Sequence, residues 1–113
     1  MKVYYIGHDY NWEMCPQQSY DAFQRNRNVN EIEKLMYRSR ENAIKRLYEI
    51  CRHQNELFAE DPEKRIGMFG QFKYGDWQVN EDLGIVHCTA HDVKYDDFFS
   101  CVCAWTEEHV LED

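Results

Sequence analysis

Residues 28–58, NVNEIEKLMYRSRENAIKRLYEICRHQNELF, decide how the rest of this chain must be arranged. Ile32, Leu35, Met36, Ala43, Leu47, Ile50, Cys51, Leu57 and Phe58 recur at intervals of three, four and seven. At 3.6 residues per turn that spacing gathers them into one apolar stripe, which predicts a single long amphipathic helix. Asn30 followed by Glu33 has the form of a capping box, in which a short polar side chain and a later carboxylate satisfy the first free N–H groups. Asp61, Pro62 and Gly67 mark the end. Thirty-one residues of helix span about 46 Å, whereas a compact chain of this size has a radius of gyration of about 13 Å. The helix is therefore expected to overhang, bend or meet a second copy, which makes a homodimer through it one expectation. Its outer side interleaves Lys34, Arg38, Lys45 and Arg52 with Glu41, Glu49 and Glu56. That is the pattern of a solvated, self-paired face rather than of a phosphate-reading one.

Everything else must cover the stripe, and its pattern is strand-like. Residues 2–6 are rich in β-branched and aromatic side chains and stop at Gly7, which predicts an interior strand. Residues 8–27 lose all periodicity and read as an irregular, aromatic-rich loop. After Gly67 the period shortens to two, and strands are expected at 68–74, 77–80, 84–90 and 98–106. Gly75-Asp76 suits a two-residue hairpin, and the short connections imply an antiparallel meander. In the last strand Phe99, Cys101, Cys103 and Trp105 alternate with Phe98, Val102 and Ala104, so both of its faces should be covered. The fold class is then α+β: a four- to five-stranded antiparallel sheet packed on one long helix, in a single domain over residues 1–113.

The totals agree. With 113 residues, 43% hydrophobic and 30% charged, the chain is long enough to bury a core and needs no cofactor to fold. No apolar run approaches the roughly 20 residues of a membrane helix. The start, MKVYYIGHDY, lacks the basic and then apolar layout of a secretion signal, and a cytoplasmic location is expected. Five scattered cysteines, an odd number, suit reduced thiols better than a bridged framework.

Charge separates the two halves. Residues 1–60 hold nine Lys or Arg against nine Asp or Glu, while residues 61–113 hold four against twelve, so the net charge of −8 lies wholly in the second half. Such a field repels nucleic acid and anionic lipid and attracts a basic protein surface.

Three reactive constellations compete with that reading. His87, Cys88, His91, Cys101 and Cys103 are zinc-type ligands, but in a hairpin whose opposed residues sum to about 188, His91 and Cys103 lie about 20 Å apart. His87, Cys101 and Cys103 remain neighbours there and lack a fourth ligand. His8, Asp9 and Cys15 permit a cysteine nucleophile with an imidazole base, a loose cluster with no second motif beside it. Asp76, Asp92, Asp96 and Asp97 have neither the alternation nor the central glycine of a calcium loop, and read as turn residues. The glycines never form a phosphate-binding motif.

The meander would place Asp76 and the 91–97 loop, with Asp92, Asp96 and Asp97, at one end of the sheet and Glu81, Asp82, Glu107 and Glu108 at the other. Two acidic groups a strand length apart imitate spaced phosphates. Tyr10 and Trp12 in the first loop, with Tyr37 and Tyr48 on the helix flank, are the candidate aromatic anchors. The expected function is non-catalytic: a small acidic inhibitor or adaptor on a basic, nucleic-acid-handling partner. In size and charge, though in no motif, the chain resembles phage antagonists of host defence nucleases, the anti-CRISPR type, and bacterial immunity proteins.

Overall fold

A computed structural model describes residues 1–10, 12, 31–67 and 70–112. Their order is β1 Lys2–His8, β2 Glu31–Ile32, helix α1 Arg40–Glu60, a 3-10 turn Pro62–Arg65, β3 Ile66–Gly67, β4 Phe72–Tyr74, β5 Gln78–Asn80, β6 Ile85–Asp92 and β7 Asp97–Val110. The class is α+β as expected, but the described residues form seven strands rather than four or five. They make one antiparallel sheet in the order β2-β1-β7-β6-β4-β3, with β5 also on β6.

The helix is shorter than its stripe predicts, because residues 31–37 run along β1 instead of joining it. Gly7 pairs with Ile32 and His8 with Glu31. The Glu33 N–H then donates to Ile6 O at 2.8 Å, and Tyr4 and Tyr37 exchange two 2.8 Å backbone bonds. The free edge of β1 thus offers this stretch a ladder of partners that its apolar spacing does not reveal. Asn30 lies outside the described residues, and Glu33 precedes the helix by seven positions, so it is not in the first turn. Ser39, with extended backbone at φ −121° and ψ 143°, is the N-cap, and its Oγ accepts from the Asn42 N–H at 3.1 Å. The 21 residues of α1 span about 32 Å, and with that length the argument for an overhanging helix or a second copy lapses. Ala43, Ile44, Leu47, Ile50, Cys51 and Phe58 form the buried stripe. They pack on one face of the sheet against Ile6, Val86, Cys88, Ala90, Cys101 and Ala104.

Strands β4 and β5 do not form the hairpin expected around Gly75-Asp76. Both run antiparallel to β6 along the same edge, with Tyr74 opposite Ala90 and Gln78 opposite His87. They are one edge strand interrupted at residues 75–77. Asn55 of α1 mends the interruption: its Oδ1 accepts from the Trp77 N–H at 2.7 Å and its Nδ2 donates to Trp77 O at 3.1 Å. Two backbone groups that the sheet leaves without partners are so paired. The Trp77 ring is buried beneath the helix, edge-on to Trp12 at 4.8 Å.

The 14-residue β7 is shared lengthwise. Its first part pairs with β6 and its last part with β1, overlapping only at Ala104 and Trp105. A register shift sits between Val86 and His87, so that Cys103 is an extra residue on β7. Beyond the bulge the alternation inverts. Trp105, expected beside Cys101 and Cys103, instead joins Ile85 and Val102 in a separate buried cluster.

Candidate partner-binding surface

The acidic residues that define the expected surface separate into those held within the fold and those presented to solvent. Asp92 is buried: its Oδ1 accepts from the N–H groups of Lys94 at 3.0 Å and Tyr95 at 3.3 Å, and Gln71 Nε2 donates to both carboxylate oxygens. It shapes a turn. Glu107, with its side chain 12% exposed, takes the Trp105 indole N–H at 3.0 Å and lies 3.3 Å from His109 Nε2. Glu108 meets Lys2 at 3.3 Å, and Asp76 meets Arg65 at 2.6 Å. Trp12 is buried among Phe58, Tyr74 and Trp77, which removes it from the surface anchors. Tyr37 is half-buried beside β1, and Tyr10 is exposed but stacked on His8.

Asp76 also changes place. Because β4 and β5 share one edge of β6, it lies midway along that strand and not at the end that carries the 93–96 turn. Exposed carboxylates remain at the two ends of β6. Glu81 and Asp82 occupy the turn before it, and Asp96 and Asp97 close the hairpin after it. The eight residues between them separate these pairs by about 24 Å.

The Glu81 and Asp82 end borders a groove of about 450 Å³ lined by Arg40, Glu41, Ile44, Lys45, Tyr48 and both acids. Arg40 at the start of α1 donates to the backbone carbonyls of Glu81 and Asp82, tying helix to turn. Basic groups therefore accompany the carboxylates there. Desolvation, followed by its bond to Glu81, raises the Tyr48 phenol. Around the β5 edge a second shallow groove reaches His87, whose imidazole burial pushes toward the neutral form.

At the other end, the β6 and β7 hairpin turns through residues 93–96, with Asp92 opposite Asp97 and Asp96 at φ 55°. His91 faces Phe98 across the strands, stacked at 4.5 Å and 11°, and its Nε2 lies 2.8 Å from Asp96 Oδ1. Phe99 turns inward to Phe72 at 5.8 Å, while Val93, Tyr95 and Phe98 stay exposed. The sequence pattern singles out none of these three and places Phe98 on a covered strand face, whereas it is exposed. The usable signal was the Phe98-Phe99 pair at a strand start, since alternation must send one ring outward.

The reactive constellations rearrange as well. The register set by the 93–96 turn, one residue off the expected pairing, puts His87 opposite Val102, so His87 points away from the face that carries Cys101 and Cys103, and His91 meets Phe98 rather than Asp97. Among the described residues no group of three or more His, Cys, Asp or Glu is placed to hold a metal ion. Cys51, Cys88, Cys101 and Cys103 are free, buried thiols. Burial raises Cys51 and Cys103, and the Cys101 hydrogen bond, with burial, raises Cys88, all toward the unreactive thiol form.

His8 is held differently from the expectation that paired it with Asp9 and Cys15. Its Nε2 is 2.9 Å from Glu33 Oε2, and Arg46 grips the same carboxylate through Nη2 at 2.7 Å and Nε at 3.1 Å. The Arg46 bonds, more than that of His8, outweigh burial and hold Glu33 below the usual carboxylate range. Cys15 lies outside the described residues. No described helix is long and apolar enough to cross a membrane. Scans of the chain against protein-family models, curated proteins and solved structures find no match in any of the three.

Proposed function

We propose that this protein is a non-catalytic acidic inhibitor or adaptor that docks on a basic, nucleic-acid-handling protein. One observation carries the reading: the entire net charge of −8 belongs to residues 61–113. Its exposed carboxylates stand at both ends of β6, with Glu81 and Asp82 at one and Asp96 and Asp97 at the other. Carboxylates at that spacing occupy a channel built for phosphates and steer encounter by charge. Asp76, Asp92, Glu107 and Glu108 serve the fold first, which narrows the charged contact to those four. Phage anti-defence proteins and immunity proteins work by docking of this kind, and that is the class of role we assign.

The test is capture from the native host at about 50 mM and about 500 mM salt, across the range where surface charges become screened. Wild-type chain is expected to retain a basic nucleic-acid-binding protein at low salt and release it at high salt. A Glu81→Gln, Asp82→Asn, Asp96→Asn, Asp97→Asn chain is expected to retain much less. Capture indifferent to salt and to the four substitutions overturns the reading.

A second reading rests on His8, whose ring is oriented by a carboxylate as a general base requires. It makes Cys15 a nucleophile, and ordinary alkylation kinetics for Cys15 at neutral pH would end it.

A further inference from the structure

The tip of the β6 and β7 hairpin spends three large apolar side chains on solvent. Val93 is 42% exposed, Tyr95 63% and Phe98 62%. Single exposed hydrophobes are ordinary on protein surfaces. Here Val93 and Tyr95 lie in the turn and Phe98 in the first residues of the strand that leaves it, places that small polar residues would fill equally well.

The turn that carries them is held from several sides. The buried Asp92 carboxylate accepts from the backbone of Lys94 and Tyr95, and Gln71 supplies both a side-chain donor to Asp92 and a carbonyl that takes the Val93 N–H at 2.9 Å. His91 stacks on Phe98 and contacts Asp96, while Phe99 anchors the strand beneath against Phe72. Rigid aromatic groups bind with little further loss of conformational freedom, which is how a few residues come to dominate an interface.

The charge beside the tip selects the occupant. Asp96 and Asp97 are exposed at the flank of Phe98 and outnumber the one exposed cation of the turn, Lys94, whose Nζ lies 5.1 Å over the Tyr95 ring, and the chain as a whole carries −8. A second copy would bring the same carboxylates together, and an anionic lipid surface would repel them. A cationic rim around an apolar pocket satisfies both kinds of group.

We propose that the hairpin tip, Val93, Tyr95 and Phe98 flanked by Asp96 and Asp97, is the docking element of this protein and inserts into an apolar pocket ringed by lysine or arginine on a partner protein. This rests on the acidic-inhibitor reading and adds to it where contact is made and what the partner offers there.

The probe is a displayed library of random peptides, selected on the full wild-type chain and re-measured on variants whose circular dichroism and Tm match wild type. The enriched peptides are expected to combine Lys or Arg with aliphatic or aromatic residues. Phe98→Ser and Tyr95→Ser each weaken them about tenfold or more, the loss expected of a central anchor. Leu35→Ser, an equally exposed position beside the outer edge of β1, leaves them unchanged. Asp96→Asn with Asp97→Asn weakens them several-fold at low salt and little at high salt. Basic peptides that bind Phe98→Ser as tightly as wild type overturn the tip while leaving the acidic reading in place. Enriched peptides without excess Lys or Arg overturn the charge on which both rest. No enrichment over Phe98→Ser overturns the tip, as does self-association in sedimentation that Phe98→Ser abolishes, since the occupant is then a second copy.

Discussion

At the scale of single residues, the fold depends on contacts that one atom would break. Gly7 of β1 lies opposite Trp105, and a Cβ there would stand 2.4 Å from the indole Cε2. The ring can lie flat across the strand only because that position has no side chain. Gly7→Ala is expected to cost about 2 kcal/mol through overpacking, lowering Tm by about 8 °C for a chain of this size, as calorimetry would record. Glu33 gives a second prediction with a pH signature. Its carboxyl is held low in the folded chain, so its contribution is fully present above the unfolded carboxyl value of about 4.3 and is lost as pH falls through the lower folded value. Glu33→Gln, which gives up charge-assisted bonds to Arg46 and His8, is expected to destabilise by about 1–2 kcal/mol at pH 7. The Tm difference from wild type should shrink as the solution is acidified below about pH 4.3. A difference that stays constant with pH would show that the Glu33 charge is not what stabilises.

At the scale of elements, α1 starts later than the apolar spacing implies, for an identifiable reason. Ile32, Leu35 and Met36 fit the helical interval, yet residues 31–37 lie along the open edge of β1, where their backbone finds partners immediately. The true start is Ser39, a good capping residue four positions before the first buried Ala43. Ser39→Ala is expected to destabilise the protein by about 1 kcal/mol, measured by urea denaturation. No change in midpoint would mean that another group satisfies the Asn42 N–H. The split between β4 and β5 has a comparable origin. Gly75-Asp76 carries a hairpin signature, but Asn55, 22 residues away from Trp77, stabilises an interruption instead of a reversal.

At the scale of the whole molecule, the core lies between one face of the sheet and the helix, and four cysteines sit inside it. Their burial makes global opening the route by which a reagent reaches them. Cys51, Cys88, Cys101 and Cys103 are expected to react with a disulfide reagent at pH 8 only at the rate of unfolding, and promptly in denaturant. Fast labelling of any of these four in the native protein would contradict the packing described. The charge asymmetry acts at the same scale, but through exposure. Of the eight carboxylates proposed as a contact surface, tertiary packing buries Asp92, ties the half-buried Glu107 to the Trp105 indole and pairs Asp76 and Glu108 with cations. The partner is left to meet the remainder.

The local pattern of residues determined the α+β class, the interior placement of the first and last strands, the outward charged side of the helix and the confinement of negative charge to the second half. Each of these follows from periodicity or composition, which short stretches carry by themselves. Only the tertiary structure decided where α1 begins, that β4 and β5 share an edge, that Trp105 faces away from Cys103, and that Phe98 is exposed. Those outcomes depend on which distant backbone edge lies within reach and on one inserted residue at Cys103. A strand of period two inverts its faces after such an insertion, and no local pattern records where the partner strand will demand it.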